Sequence, residues 1–221
     1  MSAPVIPGWL ERIRAGASTI GGADLTRFLP PEDADAKDGA VLMLFGEGPA
    51  GPDLLFTERA HDMRSHPGQI SFPGGKVEPG DLTPRDTALR EAQEEVGLDP
   101  SGVDVLVDLP RLWLPPSNFA VTPVLAWWRE ESPVGVVDPA EVHSVFRVPI
   151  EELLDPTHRI TVTHPSGYAS PGFLVGPDKD LILWGFTAGL VNKLFEYVGL
   201  TRPWDESVTR TLPSYMISSR S

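Results

Sequence analysis

The sequence predicts an α/β sandwich, with strands and helices alternating along one domain. Three observations lead there. At 221 residues the chain is long enough for one domain with a sizeable core. Short apolar and β-branched runs alternate with segments of helical period, the pattern that lays helices on a sheet. Residues 83–97 also carry complete start and stop signals for a helix.

Element by element, Trp9 to Arg14 predicts a short N-terminal helix, followed by a polar connection rich in Pro and Asp through Lys37. Val41 to Phe45 and Asp53 to Arg59 read as strands across a Gly-Pro-rich turn. The helix that follows has Thr83 as N-cap and Pro84 at its first position, where a missing N–H costs nothing. Asp86 completes an approximate capping box and Gly97 stops the helix. Val103 to Leu114 and Phe119 to Trp128 predict two further strands around Pro115-Pro116-Ser117-Asn118, and Val142 to Val148 another. Pro149 to Leu154 starts a short helix. His158 to Thr163 and Gly172 to Val175 form a candidate hairpin, and Leu181 to Tyr197 reads as one long amphipathic helix ended by Gly199. From Thr201 onward Pro, Ser and Arg predominate, which predicts a loosely ordered tail. The organisation expected is therefore an N-terminal helix and connection over 1–37, a principal domain over 38–200 and a tail over 201–221. No internal repeat is visible.

The chemistry concentrates on the capped helix. Ala88, Leu89, Ala92 and Val96 form a narrow apolar stripe of 3.6-residue period. Glu91 and Glu95, at i and i+4, share a face beside it; Glu94 lies on the flank, four residues after Arg90. A Glu-Glu pair alone is usually a solvated face. The preceding Phe72-Pro73-Gly74-Gly75 turn, the caps and the Arg-Glu-x-x-Glu-Glu order together point instead to a bound cation. Oxygen-only ligation suits Mg²⁺ or Mn²⁺ rather than zinc, and a glycine turn lets a backbone carbonyl approach the same ion.

Composition narrows the function classes. A net charge of −13 argues against binding a nucleic-acid duplex, whose backbone demands clustered Lys and Arg. No apolar run is long enough to span a bilayer, so no membrane partner is expected. The first residues lack a basic segment followed by an apolar one, so no signal peptide is expected and a cytoplasmic location is. With no cysteine, disulfide and thiol chemistry are excluded. A homodimer is compatible with the sequence. An anionic substrate would need a metal and a few arginines to reverse the local sign.

At these residues the chain resembles the Nudix hydrolases, whose box runs Gly, five residues, Glu, seven residues, Arg-Glu-apolar-x-Glu-Glu-x-Gly-apolar. Gly75, Arg90, Glu91, Ala92, Glu94, Glu95, Gly97 and Leu98 match it. Asp81 stands where the box has Glu, and eight residues rather than seven separate it from Arg90. That variant is similar to the coenzyme A pyrophosphatase branch. Upstream, Met63-Arg64-Ser65-His66-Pro67-Gly68-Gln69-Ile70-Ser71-Phe72-Pro73 resembles the same branch's signature, as does Trp184-Gly185-Phe186-Thr187-Ala188 later. The resemblance runs from about Ala40 to Leu200. It implies a Nudix α/β/α sandwich with a mixed β-sheet between helices.

The activity implied is Mg²⁺- or Mn²⁺-dependent hydrolysis of a phosphoanhydride in a nucleoside-diphosphate-linked small molecule. Coenzyme A or its thioesters would yield 3′,5′-ADP and (acyl-)4′-phosphopantetheine. Two other readings stay open: the same catalysis on ADP-ribose or a dinucleotide, and a catalytically silent Nudix domain that binds nucleotides. Glu91 and Glu95 are expected to hold metal, with Glu94 a ligand or a support and Gly75 supplying a carbonyl. By resemblance, Arg90 orients the glutamates and Asp81 pairs with it. The general base is Glu91 or Glu141, the latter in a late acidic loop and otherwise an ordinary surface acid. Arg59, Arg64 and His66 are candidates for phosphates, and Gln69 for a base or amide. Each has an ordinary structural reading as a solvated or turn-stabilising group. Trp113, Trp127 and Trp128 could stack on adenine but are more simply core, and Arg147 and His143 flank the strand at Val145.

Overall fold

The computed structural model describes residues 5–26, 36–63, 66–115, 117–164, 167–213 and 216. Helix α1 (Gly8–Ala17) and the short α2 (Gly22–Leu25) precede a long hairpin of β1 (Lys37–Gly48) and β2 (Gly51–Arg59). Short strands β3 (Ile70–Ser71) and β4 (Gly74–Lys76) lead into α3 (Pro84–Val96). Then come β5 (Val103–Asp108), β6 (Leu112–Leu114), β7 (Phe119–Trp128), β8 (Val142–Pro149) and α4 (Ile150–Leu154). Strands β9 (Arg159–Thr163), β10 (Ala169–Val175) and β11 (Leu181–Leu183), helix α5 (Gly185–Tyr197) and strand β12 (Thr209–Thr211) complete the order.

The main sheet runs β3-β2-β1-β7-β5, with β4 on β1, β6 on β7 and β8 on β2. It is mixed: β1 and β7 are parallel, from Lys37 opposite Phe119 to Phe45 opposite Trp127, and the other pairings are antiparallel. Period-2 alternation sends the two faces into two cores. Ala40, Leu42 and Leu44 of β1, with Val124, Ala126 and Trp128 of β7, meet Ala88, Ala92 and Val96 of α3. Met43, Phe45, Leu125 and Trp127 face the other way, onto Leu10 and Ile13 of α1 and Leu190, Val191 and Leu194 of α5. This is the α/β/α sandwich expected, with the mixed sheet between helices. Among the described residues no helix is long and apolar enough to cross a membrane.

Helix α3 forms for the reasons its sequence states. Thr83 Oγ1 accepts from Asp86 N, the Asp86 carboxylate accepts from Thr83 N at 2.8 Å, and Gly97 ends the helix at φ 72°.

Three expectations need correction. The predicted strand over 103–114 is broken at 109–111, where Pro110 cannot donate to the ladder, giving β5 and β6. Leu181 to Leu183 is not helical. It pairs antiparallel with β10, Ile182 and Leu183 pointing into different cores, and Gly185 at φ 68° turns the chain into α5. The stretch after Thr201 is not loose throughout: Thr209–Thr211 pairs parallel with β9, and Leu212 and Met216 are buried against Ile160 and Val162. The hairpin of β9 and β10 forms as expected and sits in a second sheet ordered β11-β10-β9-β12.

Candidate active site

Strand β4 brings the glycine turn onto the edge of α3. Gly75 lies opposite Ala40 of β1, and its Cα faces the Glu91 carboxylate so closely that a Cβ there would stand 2.5 Å from Glu91 Cδ. Gly74, at φ 158°, donates its N–H to Glu95 Oε2 at 3.1 Å. The turn therefore grips both glutamates that the helical spacing places on one face.

Arg90 holds the remaining acids in register. Its Nε and Nη2 donate to the two oxygens of Asp81 at 3.1 and 3.0 Å, and Nη2 also reaches the Lys76 carbonyl at 2.9 Å. Its Nη1 lies 2.9 Å from Glu94 Oε2 and 3.0 Å from Glu91 Oε1. Asp81 Oδ2 additionally accepts from Glu78 N and Thr87 Oγ1, both at 2.9 Å. Despite the extra residue between Asp81 and Arg90, the carboxylate still meets its guanidinium. Arg90 and these donors hold the Asp81 carboxyl well below the usual range.

Exposure sorts the glutamates. Glu95 is only 7 % exposed, whereas the Glu91 side chain is 15 % and that of Glu94 59 % exposed. Burial is the main force lifting Glu95 to about 7; the negative fields of Glu91 and Glu141 add to it, while Gly74 N–H and Arg59 oppose it. Burial likewise raises Glu91, offset in part by Arg90 and reinforced by Glu94 and Glu141. Buried carboxylates that also lie in the negative fields of neighbouring acids gain most from a divalent cation, and the donor set is all oxygen. These residues therefore fit a hard metal ion.

Of the other candidates, Glu141 ends the 138–141 turn, exposed, with its carbonyl accepting from Ala60 N at 2.8 Å and its charge felt by Glu91 and Glu95. Arg59, at the end of β2, acts on Glu95 and on His66. Its Nη2 reaches Met63 Sδ at 3.1 Å, and its buried Nε has no partner among the described residues. His66 and Gln69 form a turn clasped to Arg59: Arg59 N donates to Gln69 O at 3.0 Å and Gly68 N to Arg59 O at 3.2 Å. Crowding of the His66 ring by neighbouring atoms, then the Arg59 cation, lowers the pKa of its imidazole. Gln69 Nε2 lies 3.1 Å from where a Cβ on Gly185 would be, so the upstream block meets the start of α5. Arg64 lies outside the described residues.

The structure does not bring every candidate to the carboxylates. Arg147 donates to Asp53 Oδ1 at 2.8 Å and to Glu131 Oε2 at 2.7 Å while stacking on Trp128 at 5.1 Å. Trp127 and Trp128 are core, and Trp113 Nε1 donates to Asn118 Oδ1 at 3.2 Å. Sequence reasoning also missed a group. Among the described residues, the three ligand-type side chains close enough to share one ion are Glu58, His61 and His143, outside the box. Glu58 and His61 are separated by a strand end and His143 lies on another strand, so no local spacing announces them.

Comparison with known proteins agrees with this geometry. Residues 36–166 match the NUDIX domain. The chain is 34 % identical over 169 residues to the mitochondrial Nudix hydrolase 15 of Arabidopsis thaliana, an alignment covering 73 % of this chain and 58 % of that protein. It is 36 % identical over 167 residues to the uncharacterized Nudix hydrolase NudL of Cronobacter sakazakii, covering 74 % of this chain and 83 % of the relative. Among solved structures, the Nudix hydrolase RenU of M. smegmatis shares the fold with a TM-score of 0.52 at 18 % identity, over 77 % of this chain and 91 % of that one. A MutT/nudix family protein from Enterococcus faecalis gives 0.51 at 17 % identity, over 88 % and 76 %. The class is that of an α/β/α sandwich carrying a Nudix helix. The chain belongs to the NUDIX family.

Proposed function

We propose that the protein is a divalent-cation-dependent pyrophosphohydrolase whose substrate is coenzyme A or a coenzyme A thioester. The observation that carries hydrolysis is the convergence of Glu91 and buried Glu95 against the Gly74-Gly75 turn, with Glu141 in electrostatic range of both. Glu91 and Glu95 would hold Mg²⁺ or Mn²⁺, with the Gly75 carbonyl as a further donor and Glu94 as a support through Arg90. A cation there supplies charge neutralisation at the phosphoryl oxygens and a more acidic water.

The residues of the chain do the rest. Water adds its oxygen to one phosphorus of the P–O–P link, the bridging P–O bond breaks, and the two phosphate esters leave as 3′,5′-ADP and 4′-phosphopantetheine. Glu141 accepts the water proton in this reading, since its carboxylate has no bond among the described residues while Glu91 is engaged by Arg90 and Glu95 by Gly74. Arg59, whose cation already acts on Glu95 and His66, meets the diphosphate through its guanidinium. His66 and Gln69 lie on the same turn, where Gln69 reaches the α5 start; that meeting of the upstream block with Trp184-Gly185 supports the coenzyme A reading. A cytoplasmic location belongs to the same proposal; the Arabidopsis relative is named as mitochondrial, and cell fractionation decides it.

The deciding experiment incubates the full chain with a panel of coenzyme A, acyl-coenzyme A, ADP-ribose and dinucleoside polyphosphates plus Mg²⁺ or Mn²⁺, with products read by mass spectrometry. Coenzyme A species should be consumed, and Glu95→Gln should abolish turnover with the fold intact. Consumption of ADP-ribose or a dinucleotide alone would replace the substrate. No turnover of any diphosphate would leave a nucleotide-binding domain.

A further inference from the structure

Where the end of β2 meets the start of β8, one cluster is not used by the hydrolysis proposed above. Glu58, His61 and His143 each offer one donor atom, all within 4.8 Å of one another. Glu58 is 5 % exposed, an unusual place for a carboxylate. Its Oε1 lies 2.7 Å from His61 Nε2, and its Oε2 accepts from Ser144 Oγ at 2.8 Å. The rings of His61 and His143 stand 4.6 Å apart, centroid to centroid, at 52°. His143 is there because the β2–β8 ladder slips between Glu58 and Arg59: Glu58 faces Ser144 and Arg59 faces Val142, so His143 is the extra residue of a bulge. An ion pair would account for Glu58 and His61 alone. It gives no reason for a second imidazole packed against the first.

We infer that Glu58, His61 and His143 bind a zinc-class divalent ion at a second site, separate from the box carboxylates. Two imidazole nitrogens and one carboxylate are the donor set that Zn²⁺ and its neighbours Co²⁺ and Ni²⁺ prefer over Mg²⁺, and three protein ligands leave a fourth position open. The Ser144 hydroxyl on Glu58 Oε2 is the outer hydrogen bond that orients a ligating carboxylate, and an ion would replace the proton now shared between Oε1 and His61 Nε2. Successive strand residues point to opposite faces, so Glu58 projects away from Arg59, which acts on Glu95. The two sites are therefore neighbours along β2 without sharing a ligand. An ion at the second would pin the end of β2 to the start of β8, next to the Ala60–Glu141 backbone bond of 2.8 Å.

The test uses chelator-stripped full-length protein in excess Mg²⁺, titrated with Co²⁺ and followed by visible absorption. One equivalent should bind with a visible band that persists in Glu95→Gln. His61→Ala and His143→Ala should each weaken Co²⁺ binding by at least about 100-fold, since loss of an outer partner alone costs roughly 10–100-fold. Absence of the band in excess Mg²⁺, or its survival in both histidine variants, overturns the site. A second measurement needs no variant: Zn²⁺ should shift the imidazole ¹⁵N resonances of two of the five histidines. A response from none, or from one alone, overturns it equally.

Discussion

Gly75 and Glu91 touch with no room between them: a Cβ on Gly75 would sit 2.5 Å from Glu91 Oε1 and 2.6 Å from Oε2. The glycine is required by its neighbour's carboxylate, and the ladder opposite Ala40 keeps the backbone from yielding. Gly75→Ala should therefore displace Glu91 and lower turnover by about tenfold or more, equivalent to roughly 1.4 kcal/mol of barrier. Steady-state kinetics beside a circular-dichroism melt would check this; unchanged turnover in a folded variant would remove Glu91 from the site.

Stability of the metal-free protein should fall as pH rises from about 4.5 to about 7. Glu95 is raised from 4.5 to about 7 in the fold, chiefly by burial. Between those values the folded state holds a proton that the unfolded chain has released, so unfolding gains ground as pH climbs. The ideal loss is on the order of 3 kcal/mol at 1.36 kcal/mol per unit, an upper bound. Mg²⁺ should restore stability most above pH 7, where Glu95 is charged. Urea midpoints across pH, with and without Mg²⁺, measure both effects; in Glu95→Gln both should shrink to the smaller part that Glu91, also raised by burial, carries.

Arg90→Lys should cost more than the preserved charge suggests. The guanidinium spans Asp81, the Lys76 carbonyl, Glu91 and Glu94 from three nitrogens, and a single ammonium cannot reach all four. A drop of roughly 10–100-fold in kcat is expected. Normal kinetics in that variant would show that the cluster needs only a positive charge.

If Gln69 meets substrate at the start of α5, Gln69→Ala should raise KM for coenzyme A severalfold and leave kcat within about twofold, the signature of lost uniform binding. A fall in kcat at constant KM would instead make Gln69 a brace for the Arg59 turn.

The parts legible in the sequence were those whose causes are local. Thr83, Pro84, Asp86 and Gly97 define α3 by interactions within one turn, and the spacing of Glu91 and Glu95 follows from the helix itself. The strand at Leu181–Leu183 escaped because a short apolar run carries no period of its own; pairing with β10 decides it. The break in 103–114 had a local mark in Pro110, which the apolar run on either side outweighed. Asp81 with Arg90 was readable as a pair, whereas the further donors on Asp81 from Glu78 N and Thr87 Oγ1 were not. The Glu58, His61 and His143 group depends on a bulge between strands far apart in sequence.

Strand β12 has a further consequence, for the life of the chain before it is finished. It pairs with β9 in register, and Thr161 N donates to the Val208 carbonyl at 2.8 Å, so these β9 groups wait for residues nearly fifty positions downstream. During synthesis β9 is thus a bare edge, open to pairing with another nascent copy. Truncation before Val208 would make that interval permanent, and aggregation of the shortened protein, rather than loss of the carboxylate site, is the defect to look for by light scattering.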